Sequence, residues 1–362
     1  MQPGLRFILL LAAALASGCA VQAQFEGPAQ VLIPVYYATN RSPLPGEDDG
    51  PGLYGDDRGE LSFGTALVAL STRKEGKSRF ADWARWEART GASRNRNELL
   101  AADRLEAEAF GDALDAASAA AGDRSVLLFV HGFRRSFEVV AKDVATVALE
   151  INIHGMPMFF SWPSANSVLG YAADINSMRW AAADLRDTLK FLLARESIST
   201  VHVIAHSLGG DGLLAALQDL SRDDAAYIDK LGEVVLASPD VDAGLFRRDY
   251  LPALQTLGAR VTLYATDNDV PLRASERVNR YHRLGDAKAE IFTGNGVETI
   301  VYSDVVTFMN SHDAVVEIGD VQADMHYLLV EGRGANERPT LTGVDTDGGR
   351  YWRVRPVNDQ DR

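Results

Sequence analysis

Residues 200–210 read TVHVIAHSLGG, and residues 211–220 read DGLLAALQDL. The first run is largely apolar, which predicts a buried strand. Apolar side chains recur at helical spacing in the second run, at Leu213, Leu214, Ala216, Leu217 and Leu220. The stretch therefore predicts a strand, a sharp turn and a helix, with Ser207 at the turn.

The turn reads AHSLG, the pattern of a nucleophile elbow with Ala205 in place of the usual first glycine. A serine at the tip of so tight a turn brings the incoming strand and the outgoing helix almost into contact, so the flanking positions accept little more than a methyl group. Ala205 meets that requirement. The alternative is a strand-to-helix turn whose serine has no chemical role.

The rest of the chain alternates between predicted strands and helices after a β-rich start. Strands are predicted at 31–41, 61–71, 125–130, 157–162, 233–237, 261–265 and 297–302, and helices at 137–149 and 175–194. This order predicts an α/β fold with a mostly parallel central sheet and helices on both faces. The folded domain is predicted over 31–335, followed by a polar tail, 336–362, that is partly packed through Tyr351 and Trp352.

The amino-terminal segment resembles a bacterial lipoprotein signal. Arg6 precedes a short apolar run, and Ala16, Ser17 and Gly18 lead directly into Cys19, the only cysteine. We expect residues 1–18 to be a signal peptide, Cys19 to be lipidated, and 19–30 to be a tether. An ordinary secretory signal or an uncleaved anchor are the alternatives. The expected location is the bacterial cell envelope, lipid-anchored on the periplasmic side of the outer membrane.

The chain is acidic, with a formal net charge of −14 over 362 residues. Such a charge disfavours nucleic acid as a partner and disfavours electrostatic binding to anionic lipid. Membrane attachment is therefore expected through the acyl chains on Cys19. One cysteine allows no intramolecular disulfide, so the core must supply the stability.

Chain order selects the base that a serine nucleophile needs. In this kind of fold the helpers follow in the order Ser, then Asp or Glu, then His, which leaves His282, His312 and His326. His282 precedes the last predicted parallel strand. His312 follows that strand in a polar loop, whereas His326 lies in a predicted helix interior. We predict His312 as the base, with His326 as the alternative.

The acid should follow one of the strands that come before the last strand. The candidates are Asp269, then Asp267, then Asp240, and each of them could instead cap a turn with its own side chain. The oxyanion needs two preorganised donors, predicted to be the backbone N–H groups of Leu208 and Phe133. Gly132 would allow the backbone to approach the substrate closely.

Several motifs together resemble a bacterial alpha/beta-hydrolase family catalogued as a domain of unknown function, within the esterase and lipase-like superfamily. They are YATNR at 37–41, FVHGF at 129–133, FSWPS at 160–164, AHSLG at 205–209 and YATDND at 264–269. The likeness covers about 31–333. It implies Ser207 as nucleophile, Asp269 as acid and His312 as base. This chain departs from the family pattern at Arg134 and Arg135, where a polar asparagine is expected, and at Leu208, where methionine is frequent.

These observations favour a serine hydrolase that cleaves a small ester or related acyl substrate through an acyl-enzyme, without a cofactor. The rival interpretation is a catalytically silent hydrolase fold that binds or scaffolds in the cell envelope. A metalloenzyme is disfavoured, because His202 and His206 lie on a strand and its turn rather than on one helical face.

Overall fold

A computed structural model describes residues 21–23, 30–46, 49–50, 52–71, 97–165, 167, 170–222, 226–306 and 311–356. The predicted signal peptide and Cys19 lie outside the described residues. Part of the predicted tether is described: residues 21–23 form a short strand that pairs antiparallel with residues 30–32.

The described strands form one twelve-stranded sheet. They are β1 (Val21–Ala23), β2 (Gln30–Pro43), β3 (Tyr54–Ser71), β4 (Glu98–Leu105), β5 (Ser125–Val130), β6 (Met156–Ser161), β7 (Thr200–His206), β8 (Leu231–Ala237), β9 (Arg260–Ala265), β10 (Val297–Val301), β11 (Leu341–Thr346) and β12 (Gly349–Val354). Across the sheet the order is β11-β12-β10-β9-β8-β7-β5-β6-β2-β3-β4, and β1 pairs with β2 off this path. From β2 to β12 the neighbouring strands are parallel.

Helices cover both faces of the sheet. They are α1 (Ala107–Ala121), α2 (Phe137–Ile151), α3 (Tyr171–Leu193), α4 (Gly209–Leu220), α5 (Ala243–Leu245), α6 (Leu251–Thr256), α7 (Val270–Asn279), α8 (Ala314–Glu317) and α9 (Gly319–Leu329), with a π-helical turn, Phe246–Tyr250, between α5 and α6. Within the part of the chain that the structure describes, no helix has the length and apolarity needed to cross a bilayer.

Each face of the sheet has its own hydrophobic core. Alternate side chains of β5 point to opposite sides, as strand geometry requires, so Leu128 packs with α1, α3 and α4 while Phe129 packs with α2 and α9. The predicted α/β fold with a mostly parallel sheet and helices on both faces is therefore confirmed.

The amino-terminal part adds an antiparallel edge. β2 pairs with β3, and β3 with β4, over long registers. β2 itself runs parallel to β6, so its first residue, Gln30, lies at the amino-terminal edge of the parallel strands and its last residues lie at the carboxyl edge.

The carboxyl-terminal segment adds two strands to the sheet beyond residue 335. Residues 341–354 form the hairpin β11–β12, and β12 pairs parallel with β10, so this segment extends the sheet. Trp352 is buried there, as expected of a docking residue. Arg338 is also buried, and it donates hydrogen bonds to Asp324 at 2.8 Å and to Tyr264 at 3.2 Å. A buried ion pair thus fixes residues that the sequence assigns to a partly packed tail.

Candidate active site

Ser207 lies at the sharp turn between β7 and α4. Its φ is 53°, in the left-handed region, and its backbone N–H donates to the Ala237 carbonyl at 2.9 Å. The turn is closely packed: a Cβ on Gly209 would lie 2.4 Å from the His131 carbonyl oxygen. Small residues are therefore required around the serine, and Ala205 is fully buried in this arrangement.

His312 brings its imidazole to Ser207 from the loop after β10. Its Nε2 lies 2.9 Å from Ser207 Oγ. Ser311, the preceding residue, anchors the loop: its hydroxyl donates to the Asn268 carbonyl at 3.0 Å, and its carbonyl accepts from the Tyr302 hydroxyl at 2.9 Å. The imidazole is thus held within hydrogen-bond distance of the serine.

Asp269, after β9, lies on the other side of the imidazole. Its Oδ2 is 2.7 Å from His312 Nδ1, and its Oδ1 accepts from the Leu272 N–H at 2.9 Å as the cap of α7. The side chain is fully buried. One carboxylate therefore both begins a helix and binds the imidazole.

The alternative acids make other hydrogen bonds. Asp240 is occupied by the Tyr171 hydroxyl at 2.7 Å and the Ser275 hydroxyl at 2.5 Å. The backbone N–H of Asp267 donates to Ser303 Oγ at 3.0 Å. Neither carboxylate makes a hydrogen bond to His312 within the described part of the chain.

The alternative base is remote from the serine. His326 lies in α9, as its sequence position indicates, and its Nδ1 is 2.6 Å from the Ile151 carbonyl oxygen. Nε2 of His282 lies 3.3 Å from the Glu290 carbonyl oxygen. The structure therefore brings together Ser207, His312 and Asp269 and leaves these two histidines outside the group.

The electrostatics of His312 suit a base. Burial alone would lower its pKa, but the charge and hydrogen bond of Asp269, together with the charges of Asp313 and Asp240, outweigh burial and raise the pKa above its usual value. The carboxylate also orients the ring, because Nδ1 must carry a proton to donate to it, which leaves Nε2 free to accept a proton from the serine.

The two predicted oxyanion donors lie beside the serine. A Cβ on Gly132, the residue before Phe133, would lie 2.8 Å from Ser207 Cβ, so this loop touches the nucleophile. The N–H groups of Leu208 and Phe133 find no acceptor among the residues that the structure describes. Two such donors can bind an oxyanion.

Sequence reasoning missed His206 and Asp313, which complete the surroundings. His206 Nε2 lies 2.8 Å from the His312 carbonyl oxygen, and Asp313 forms an ion pair with Arg135. Burial alone would raise the pKa of Asp313, but Arg135 and the two histidines hold it well below its usual range. Arg135, one of the departures from the family pattern, thus holds the loop that carries the base. The position of His206 beside the serine was the available signal.

Metal ligands do not converge in the described ranges, where no group of three His, Cys, Asp or Glu side chains could hold an ion. His202, which sequence reasoning weighed as a ligand, instead accepts from the Glu233 N–H at 3.1 Å through Nδ1.

The family described as "Alpha/beta hydrolase of unknown function (DUF900)" matches residues 107–310, more than half of the chain. No curated protein shows a significant sequence match.

The chain is also similar to solved structures from several microorganisms. Est1E from Butyrivibrio proteoclasticus is 11% identical with a TM-score of 0.33, covering 55% of this chain and 88% of that one. A predicted CIB-like hydrolase from Thermoplasma acidophilum is 15% identical with a TM-score of 0.33, covering 58% and 85%. A lipase-esterase related protein from Clostridium acetobutylicum is 12% identical with a TM-score of 0.29, covering 54% and 91%. With the fold and the family match together, the chain belongs to the DUF900 family of alpha/beta hydrolases.

Proposed function

We propose that the protein is a serine hydrolase that cleaves an ester or related acyl substrate through an acyl-enzyme. The observation that carries the proposal is the continuous chain of contacts from Ser207 Oγ to His312 Nε2 at 2.9 Å and from His312 Nδ1 to Asp269 Oδ2 at 2.7 Å. A nucleophile, a base and a group that orients the base are the three roles that this chemistry needs.

In the proposed mechanism Ser207 Oγ attacks the substrate carbonyl carbon while its proton passes to His312 Nε2. The carbonyl oxygen takes the negative charge, which the N–H groups of Leu208 and Phe133 stabilise. The bond to the leaving group then breaks, and the leaving group takes the proton from His312. Water repeats the sequence on the acyl-enzyme, again giving its proton to His312, and releases the acid and free Ser207.

A fluorophosphonate probe tests the nucleophile. We expect the wild-type protein to be labelled and Ser207→Ala to be unlabelled, with turnover of p-nitrophenyl butyrate reduced by about three or more orders of magnitude. Alanine fits the turn, so the melting temperature should change little. Ser221→Ala is the matched control, since Ser221 follows the last residue of α4 and its hydroxyl donates to the Gln218 carbonyl at 2.7 Å.

Labelling that persists in Ser207→Ala would refute the assignment of the nucleophile. A folded wild-type protein that takes no label would instead favour the silent binding or scaffolding alternative.

We further propose that the protein is a lipoprotein of the bacterial cell envelope, attached through Cys19. The supporting observation is the sequence alone: a basic start, a short apolar run and the small residues directly before this cysteine. Protein made in bacteria should carry a diacylglyceryl group on Cys19 and sediment with membranes, and Cys19→Ser should abolish both. An intact mass for unmodified protein that begins at another residue would contradict lipidation.

A further inference from the structure

Two motifs that the proposed chemistry does not use lie against the loop that supplies Phe133. They are YATNR at 37–41, which lies in β2, and FSWPS at 160–164, which begins in β6 and continues past its last residue. β5 pairs with β6, and β6 with β2, so all three strand ends meet at the carboxyl edge of the sheet. The loop after β5, residues 131–135, is therefore contacted from both motifs.

Ser164 holds the residue that follows Phe133. Arg134 has a φ of 58°, a left-handed conformation that a non-glycine residue adopts only when its surroundings impose it. Its backbone N–H donates to Ser164 Oγ at 2.7 Å. Ser164 is fully buried, and its hydroxyl donates in turn to Asp174 in α3.

Asp174 fixes the orientation of that hydroxyl. One oxygen of its carboxylate accepts from Ser164, and the other accepts from the Ala165 N–H at 2.8 Å. The side chain is only 1% exposed. Because the Ser164 proton is committed to Asp174, the Ser164 oxygen presents its lone pairs to the Arg134 N–H.

Arg41 holds the next carbonyl of the loop. Its guanidinium is fully buried and donates to the Arg135 carbonyl at 2.5 Å, to Ser161 Oγ at 2.8 Å and to Asp56 at 2.9 Å. The buried cation thus has a carboxylate partner as well as the loop carbonyl.

The other side of Phe133 is held by Trp162. Its indole N–H donates to the His131 carbonyl at 2.8 Å, and its backbone N–H donates to His131 Nε2 at 3.1 Å. The two rings stack with centroids 4.9 Å apart. The backbone is therefore fixed on both sides of the Phe133 amide, which itself has no acceptor among the described residues.

We propose that Ser164, backed by Asp174, is a positioning residue that aims the Phe133 N–H at the oxyanion. This inference rests on the proposed serine-hydrolase function. An oxyanion donor contributes most when it is preorganised, since it then needs no rearrangement as the charge develops. A displacement of about 1 Å can cost about a hundred-fold in rate. Loss of the Ser164 hydroxyl leaves the Arg134 N–H without its acceptor and frees the strained backbone to turn.

The test measures the inactivation kinetics of an alkyl fluorophosphonate, whose phosphoryl oxygen gains negative charge as the serine attacks. We expect Ser164→Ala to lower the maximal inactivation rate by about ten-fold to a hundred-fold while the half-saturating probe concentration stays within about three-fold. Ser164→Cys keeps a side chain of similar size with a weaker hydrogen-bonding group, so its inactivation rate should lie between those of the wild type and Ser164→Ala. If Ser164→Ala does not fold, Ser164→Cys decides by the same measurement.

Thr340→Ala is the matched control. The Thr340 hydroxyl also donates to a buried carboxylate, Asp324, at 2.6 Å, but it lies in the segment before β11. The melting temperature of this variant should fall about as far as that of Ser164→Ala, but its inactivation rate should equal that of the wild type. A Ser164→Ala protein that is less stable but inactivated at the wild-type rate would overturn the positioning role alone. A wild-type protein that takes no probe would overturn the proposed function itself.

Discussion

His206 Nε2 lies 2.8 Å from the backbone carbonyl oxygen of His312. A carbonyl only accepts hydrogen bonds, so this nitrogen carries the proton and donates. His206, which precedes Ser207, is thus hydrogen-bonded to His312, the proposed base, and the centroids of the two imidazole rings lie 4.9 Å apart. Any movement of the loop that carries His312 must break a contact with the serine turn itself.

This contact predicts an effect of pH on stability. Burial, reinforced by the nearby His312 and Arg135, lowers the pKa of His206 to about 4. Between pH 6.5 and pH 4 the unfolded chain therefore binds a proton at this residue that the folded chain does not. The contribution of neutral His206 to the stability of the folded state is complete above pH 6.5 and is lost as the pH falls towards 4.

We expect the melting temperature of the wild type to fall more between pH 7 and pH 5 than that of His206→Gln, by roughly 2 °C or more. Glutamine can still donate to the His312 carbonyl but does not titrate. His131, a second buried histidine with a lowered pKa, is present in both proteins and cancels in the comparison. Equal losses in the two proteins would contradict the assignment to His206.

The two downstream histidines can be separated by kinetics. His312→Ala should reduce turnover about as severely as Ser207→Ala, and the double variant should lose little more, because members of such a group act as a unit. His326→Ala should keep its turnover and lower the melting temperature, since it loses the contact with the Ile151 carbonyl. Full activity in His312→Ala, together with loss of activity in His326→Ala, would show that the base is His326 in α9.

The acidic limb of the pH–rate profile should report His312. The imidazole must be neutral to accept the serine proton, and Asp269 raises its pKa. Activity should therefore be full at high pH and decline as the pH falls. The midpoint of that decline should lie above 6.5, the usual pKa of histidine. In Asp269→Asn the raising charge is removed while burial remains, so the limb should move to lower pH as kcat falls by about 10⁴-fold. A limb that keeps its position in this variant would show that another group titrates.

Gly132 should tolerate no side chain. A Cβ there would lie 2.8 Å from Ser207 Cβ and 3.0 Å from His206 Nδ1. Gly132→Ala should reduce turnover by about a hundred-fold or more, since it displaces the nucleophile and the Phe133 amide together. Gly52→Ala is the control, because a Cβ at Gly52 meets nothing within 4 Å. Wild-type turnover in Gly132→Ala would mean that this loop does not adjoin the reacting atoms.

The sequence predicted the strand-turn-helix at Ser207 and the central strands, because buried parallel strands are short apolar runs that are easy to recognise. It placed His312 in the loop after β10 by chain order, which reflects topology. The sequence ranked Asp269 before Asp267 and Asp240, and the resemblance agreed, but placement did not exclude the other two, since each follows a strand and each can cap a turn.

The hairpin β11–β12 was not predicted, for a physical reason. Its strands carry many polar residues, as expected of a solvated tail, and β12 pairs with β10, about 50 residues earlier in the chain. The segment is fixed by the buried pair of Arg338 and Asp324. Charged residues are almost always exposed unless paired, and a single sequence gives no sign of which pairs will form. The contact of His206 with the His312 carbonyl also escaped prediction, because a single sequence does not show which backbone group a buried polar side chain will bind.

The direction of β2 has a consequence for how an anchored molecule would face its surroundings. Gln30 enters at the amino-terminal edge of the parallel strands, and β1 stays beside the first residues of β2. Ser207 lies at the opposite edge: by the register of β2, β6, β5 and β7 it is ten residues beyond Gln30, about 33 Å along the strand direction. If Cys19 carries the lipid, the membrane anchor joins the domain at the edge of the sheet opposite Ser207, so the catalytic groups would face away from the bilayer.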